Sequence, residues 1–319
     1  MRKVLLGTAL ALAQAFAGAQ TYPAKPVKVV VPYPPGSTPD IVGRTLAERL
    51  QKAFGQSFVV ENRSGAGGNI GAEAVAKAPG DGYTLLVGGN GPVAINKHLY
   101  HGMGFDPDRD LLPVSLLASA PQMLVVAQDV KADDFRSFIE LARGNPGRLS
   151  YASVGSGSAS HLTMELLKSE ARLFIVHIPY RGFPPAVTDM LAGNIQAMFA
   201  IIPAVLPQVK AGRMKGLAVT ALKRSALAPD VPSVAELGYP QLESLAWIGL
   251  LATAGTPAPA LERLAAETAA AMRAEDTREL LGKQGFDVVG GDPAAFAAWI
   301  RAESQKWEKV IRASGATAD

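Results

Sequence analysis

Hydrophobic positions along the chain fall into short apolar runs separated by helical stripes. Val27, Val29, Val30 and Val31 form a β-branched run that predicts a buried strand. Pro32, Pro34 and Pro35 cannot continue a ladder and so end it. Ser37, Thr38 and Asp40 are N-cap residue types and Pro39 suits a first helical turn, after which Leu46, Leu50 and Phe54 recur on one face. The same design returns as a strand at 149–153, a Gly/Ser loop at 154–160 and a helix at 161–168 with Leu162 and Leu166 on one face. Helix N-termini present unpaired amides that favour an anion, so two such starts in two halves of one chain predict a ligand held between two lobes.

Between and beyond these segments the alternation continues. Strands are predicted at 57–61, 83–87, 174–179, 195–199 and 216–220, helices at 70–78, 135–143 and 185–192, and glycine-rich turns at 62–69 and 88–91. Such an order predicts parallel sheets with helices on both faces and ligands at the edge where strands run into helices. The long apolar run 114–127, broken by Pro121, reads as two strands or as one strand passing between lobes, and 245–252 reads as the return. The expected division is 20–122 with 250–319 as lobe 1 and 123–249 as lobe 2. The tail is helical: Leu261, Leu264, Ala265, Thr268 and Met272 share a face, as do Phe296, Trp299, Ile300, Trp307 and Ile311, and core packing is the reading for both tryptophans.

Composition adds the compartment. The chain of 319 residues opens with Arg2 and Lys3, an apolar stretch over 4–17 and the small residues Ala17-Gly18-Ala19. This is the layout of a cleaved secretory signal peptide over 1–19, too short to span a bilayer. Without Arg2 and Lys3 the net charge falls from +3 to about +1, leaving no basic field for nucleic acid. Cysteine is absent, which excludes disulfides, thiolate nucleophiles and cysteine metal sites, and no cysteine near the cleavage site offers a lipid anchor. The expectation is a soluble, monomeric, periplasmic protein whose mature form is not membrane-embedded.

A family resemblance rests on several motifs in order. They are Tyr22-Pro23-Ala24-Lys25-Pro26 before the first strand, Pro32-Tyr33-Pro34-Pro35-Gly36 after it, and the Glu61-Asn62-Arg63-Ser64-Gly65-Ala66-Gly67-Gly68-Asn69 turn. Asp81-Gly82-Tyr83-Thr84, Tyr151-Ala152-Ser153, His177-Ile178-Pro179-Tyr180-Arg181-Gly182, Pro229-Asp230-Val231-Pro232-Ser233 and Gly255-Thr256-Pro257 follow. The set resembles the Bug family of extracytoplasmic solute receptors, related to the binding component of tripartite tricarboxylate transporters. That resemblance implies an α/β, two-lobe, type II periplasmic-binding-protein fold, a small organic carboxylate as ligand, membrane transporter subunits as partners, and no cofactor, metal or catalysis. It places ligand-binding residues at Tyr33, Pro35, Gly36, Ser37, Thr38 and Asp40 in one lobe and at Gly155, Ser156, Gly157, Ser158 and His161 in the other. Gly89, Asn90 and Gly91 match a further cleft loop, Arg181 lies in a turn near the cleft, and Phe199 and Ala200 end a strand beside it. The chain departs from the family pattern where Ser37 replaces a second glycine and where Ala200 and Ile201 stand in place of an Asp after Phe199. The second departure argues against an amino-acid ligand and for a less polar, aromatic or branched carboxylate.

Rival chemistry is thin. Ser156 and Ser158 with His161 or His177 suggest a hydrolase, but there is no Gly-x-Ser-x-Gly elbow. Neither glycine-rich loop completes a dinucleotide fingerprint, because Ile70 and Ser160 stand where the third glycine belongs. His98 and His101 have metal-like spacing without further ligands. Asp40 reads equally as a helix cap or a ligand contact, and Arg181 as a ligand partner or a bridge between lobes. A receptor of this kind feeds either a transporter or a membrane signalling partner.

Overall fold

The computed structural model describes residues 22–318; the expected signal segment lies outside them. In the first lobe β1 (Val27–Val31), α1 (Thr38–Phe54), β2 (Phe58–Asn62), α2 (Asn69–Ala76) and β3 (Thr84–Gly89) alternate. A π-helical segment, Gly91–Ile95, and the short helices α3 (Asn96–Leu99) and α4 (Pro107–Asp110) lead to β4 (Leu111–Ala127). The second lobe follows with α5 (Phe135–Gly144), β5 (Ser150–Ser153), α6 (Ala159–Ala171), β6 (Val176–Pro179), α7 (Phe183–Leu191), β7 (Ala197–Ile201), α8 (Ile202–Lys210) and β8 (Met214–Val219). β9 (Leu245–Thr253) returns to the first lobe, where α9 (Ala258–Arg273), α10 (Glu275–Lys283), β10 (Asp287–Val288) and α11 (Pro293–Ser314) complete the chain.

β1 pairs in parallel with β2 and β3, and β5 in parallel with β6 and β7. The expectation of purely parallel sheets is corrected by β4 and β9. β9 lies antiparallel between β3 and β4, and β4 runs antiparallel to β7, β8 and β10. Parallel neighbours need a crossover connection, usually a helix, and β4 and β9 have none joining them to the strands they lie beside. Because the strands that precede the helices stay parallel, their C-terminal ends still share one edge in each lobe. That edge carries the loops after β1, β2 and β3 on one side and after β5 and β6 on the other.

β4 serves both lobes. Its residues from Leu111 to Pro121 pair with β9, and those from Gln122 to Val126 pair with β7. β9 starts at Leu245 opposite Pro121, so the expected boundary at 249/250 falls inside a strand of the first lobe and the return crossing lies before it. At the change of sheet the Gln122 amide donates to Thr220 Oγ1 (2.9 Å) and its side chain to Thr163 Oγ1 (2.8 Å). Thr220 Oγ1 donates to the Ser244 carbonyl (2.6 Å), and Ser244 Oγ lies 2.6 Å from Thr163 Oγ1; all four residues are buried. α11 also departs from the expected division. Phe296 and Ile300 pack with Val30, Leu86 and Leu251 of the first lobe, whereas Trp307, Val310 and Ile311 pack with Leu124, Tyr151 and Leu167 of the second. The tail helix is therefore seated in both cores.

Candidate functional site

The loop between β1 and α1 is fixed from beneath by one carboxylate. Asp40 is 3% exposed, and its Oδ2 accepts from the Gly36 amide (2.8 Å) and Arg44 Nε (3.0 Å). Its Oδ1 accepts from Asn62 Nδ2 (2.8 Å), which also donates to the Tyr33 carbonyl (3.0 Å). Burial on its own would raise the carboxyl; the hydrogen bonds from Arg44, Gly36 and Asn62 outweigh it and hold the group below the usual carboxylate range. Asp40 does not cap the helix amides: both oxygens are engaged within the lobe, by the Gly36 amide that precedes the helix, by Arg44 and by Asn62. Asp40→Asn removes the charge and turns one acceptor into a donor facing Asn62 or Arg44. Its expected cost is roughly 1–3 kcal/mol, read as a lower urea midpoint; an unchanged midpoint would show the loop is held by other contacts.

Above that support, Ser37 is the N-cap of α1 but makes no side-chain cap bond, and its buried Oγ has no protein partner. The first-turn amides of α1 are thus left without a side-chain cap. Tyr33 stays protonated, because burial and then the nearby Tyr100 push its hydroxyl well up.

The loop after β5 is built differently. Ser158 caps α6, its Oγ accepting from the His161 amide (3.3 Å) and donating to the Gly155 carbonyl (2.6 Å). Amides of this loop are taken up internally: Val154 donates to Ser160 Oγ, Gly155 to Ser153 Oγ, Gly157 to His161 Nδ1 and Ser158 to the Gly155 carbonyl. Accepting at Nδ1 leaves the His161 proton on Nε2. Beneath the loop His161 stacks on His177 with ring centres 4.1 Å apart, and Tyr151 stacks on His177 at 4.8 Å. His161 is lowered to about 4, by burial first and Lys168 second, and His177 to about 3, by burial and then His161. His177 Nε2 lies 2.6 Å from Ser153 Oγ, and Tyr151 donates to Glu165. Ser158 and His161 therefore do not form a nucleophile–base pair.

Glycines bring the two edges together. A Cβ placed on Gly67 would sit 3.1 Å from the Ser156 carbonyl oxygen, and one on Gly91 would sit 3.4 Å from the Gly157 carbonyl oxygen. A Cβ on Gly157 would strike Asn96 Oδ1 and approach Leu99 Cδ2 to 3.2 Å. The two edges are thus in direct contact. Asn96 is wholly buried at the seam: its Nδ2 donates to Asn69 Oδ1 (2.6 Å) and the Gly67 carbonyl (3.2 Å), while its Oδ1 has no protein partner.

Several expected site residues turn out otherwise. Asn90 has no side-chain group left for a ligand, since Oδ1 accepts from the Trp247 amide (2.9 Å) and Nδ2 donates to the Leu245 carbonyl (3.1 Å) and Glu303 (3.2 Å). Gly89 lies in β3 opposite Ile248, against the Trp247 carbonyl. Phe199 and Ala200 are wholly buried in two hydrophobic clusters of the second lobe, because their strand is covered on both faces. The next residue, Ile201, instead packs with first-lobe residues, as does the half-buried Phe183 at the start of α7. Arg181 is exposed at the rim. His98 contacts Ser304 Oγ (2.8 Å), and among the described residues no group of three metal-ligating side chains assembles. Gly67, Asn69, Asn96, Phe183 and Ile201 were not expected as seam residues.

The family profile described as "Tripartite tricarboxylate transporter family receptor" matches residues 42–316. The chain belongs to this family. It is 37% identical over 299 residues to protein BugT of Bordetella pertussis, covering 93% of this chain and 92% of that protein. R. palustris Rpa4515 with adipate is 36% identical, with a TM-score of 0.85 and coverage of 93% of this chain and 99% of that one. MatC (Rpa3494) from Rhodopseudomonas palustris with bound malate is 31% identical, with a TM-score of 0.83 over 91% of this chain and 100% of that one. The two-lobe periplasmic-binding-protein fold is shared with these receptors. Among the described residues no helix is long and apolar enough to cross a membrane.

Proposed function

We infer that this family member is a periplasmic receptor that captures a small organic carboxylate between its lobes and delivers it to a membrane transporter. The observation that carries this reading is the seam itself. Gly67 and Gly91 of one lobe abut Ser156 and Gly157 of the other, and the start of α1 offers amides without a side-chain cap while the cation beside that loop, Arg44, is already taken up by Asp40 and Asn62. A carboxylate there is bound by helix-terminal amides, neutral hydroxyls and water. Adipate and malate in related receptors support the ligand class. The lobes are 22–121 with 245–302 and 122–244 with the end of α11, and they close as rigid bodies about β4.

A thermal-shift and calorimetric series with adipate, malate, benzoate and glutamate tests this. A true ligand at a hundredfold its dissociation constant adds about 2.7 kcal/mol of stability and shrinks the radius of gyration in small-angle scattering. Arg181→Ala is expected to bind within threefold of the unsubstituted protein. No stabilisation by any carboxylate, or loss of binding in Arg181→Ala, sinks the amide-held anion.

A further inference from the structure

One buried carboxylate in the molecule has no role in the site just described. Glu303, on α11, is 9% exposed, and a single oxygen of it, Oε2, accepts from three neutral donors. They are Trp247 Nε1 (2.9 Å), Trp307 Nε1 (3.0 Å) and Asn90 Nδ2 (3.2 Å). Each donor belongs to a different part of the machine. Asn90 follows β3 and directly precedes the seam glycine Gly91. Trp247 lies in β9, just after the return crossing, and its amide and the Leu245 carbonyl are both held by the same Asn90 side chain. Trp307 lies on the half of α11 that is seated in the second lobe. Lys306, next to it, donates to the Glu243 carbonyl before the crossing.

We propose that Glu303 is a positioning residue for capture: it ties the Gly89–Asn90–Gly91 loop and the start of β9 to a helix anchored in both lobes, and so sets where that loop stands in the seam. A backbone loop cannot hold a ligand or an opposing lobe unless its own place is fixed, and nothing in glycine side chains fixes it. The Asn90–Glu303 link supplies the fix from behind. The inference rests on the capture reading only for calling this loop part of the cleft.

Hydrogen–deuterium exchange on the ligand-free protein tests it, so failure of the carboxylate reading leaves the experiment intact. In Glu303→Ala, peptides covering 88–96 and 245–249 are expected to exchange at least tenfold faster, while 38–54 and 135–144 keep their protection. Glu303→Gln retains an acceptor oxygen and is expected to stay within threefold of the unsubstituted protein. Asn90→Ala cuts the same link from the other end and should reproduce the Glu303→Ala pattern, and the double variant should add nothing further. Leu281→Ala, in the first-lobe core on α10, reports what mere destabilisation does: faster exchange without that focus. If Glu303→Ala is too unstable to purify, Asn90→Ala alone decides by the same pattern. Unchanged exchange at 88–96, a pattern matching Leu281→Ala, or additive effects in the double variant would each overturn the assignment.

Discussion

Gly157→Val is expected to abolish ligand capture while leaving each lobe folded. Gly157 adopts φ 77°, a left-handed conformation that a β-branched residue enters at a cost of about 1–3 kcal/mol. The larger effect comes from the opposite lobe. Its added Cβ points at Asn96 Oδ1, a buried acceptor held in place from the other side by Asn69 and Gly67, and Leu99 closes the remaining space. Both are side-chain ends, but Asn96 is pinned through its Nδ2 and both residues are buried, so relief is expected from keeping the lobes apart. Closing two lobes around a ligand is the step that excludes water and gives the affinity, so a hundredfold or greater loss is expected, with no contraction on adding ligand. Titration calorimetry and small-angle scattering together read this. Ser158→Ala, by contrast, removes a hydroxyl engaged with its own loop and is expected to cost about 0.5–1.5 kcal/mol. Binding by Gly157→Val within threefold of the unsubstituted protein would mean the seam is not closed in the bound state.

Acidification is expected to destabilise the second lobe progressively from about pH 6.5, before most carboxylates begin to titrate. His161 and His177 stay neutral in the fold down to about 4 and about 3, against an ordinary 6.5. Above 6.5 both states of the chain hold these rings neutral and nothing differs. Below it the unfolded chain binds protons that the native stack excludes, so stability falls as pH drops from 6.5 towards 4. Each unit of separation corresponds to about 1.4 kcal/mol, which makes His161 alone worth roughly 3 kcal/mol across that window. His177 shifts in the same direction, by burial and then by its stacked neighbour His161. Asp40, held below 3.8, contributes its own loss only at lower pH. The check is the urea midpoint at pH 7.5 and 4.5, in the unsubstituted protein and in His177→Phe. The substitution keeps a flat ring in the stack and removes one titrating group. A flat pH profile, or an identical slope in His177→Phe, would rule this out.

Patterns carried by adjacent residues were legible in the sequence. The valine run, the proline stop and the leucine stripe identify β1, its loop and α1, because each signal is local and physical. The second strand–loop–helix at Ser150–Ala171 is legible for the same reason. What escaped is what only tertiary contact makes. Nothing near Asn96 announces that it will lie against Gly157, some sixty residues later, and its apolar neighbours Val93, Ala94 and Ile95 read as core. The family resemblance places Asn90 in a cleft loop, yet its side-chain partners at Leu245, Trp247 and Glu303 are far away in sequence. Parallel order was over-extended because the apolar runs of β4 and β9 carry no mark of direction. The tail was assigned to one lobe since a single amphipathic helix gives no sign that its two ends are buried in different cores.

β4 joins the lobes in a way that has mechanical consequences. A pin joint is a loose segment between two rigid bodies; this is a flexure cut from one continuous bar. Pro121 offers no amide at the change of sheet, and the next amide, Gln122, bonds a threonine hydroxyl rather than a strand carbonyl. Hydroxyls re-aim by rotating about one bond, so bending there leaves the ladders on either side whole. Elastic return is then built into the strand, and severing the chain anywhere within Leu111–Ala127 would cut into sheet rather than linker.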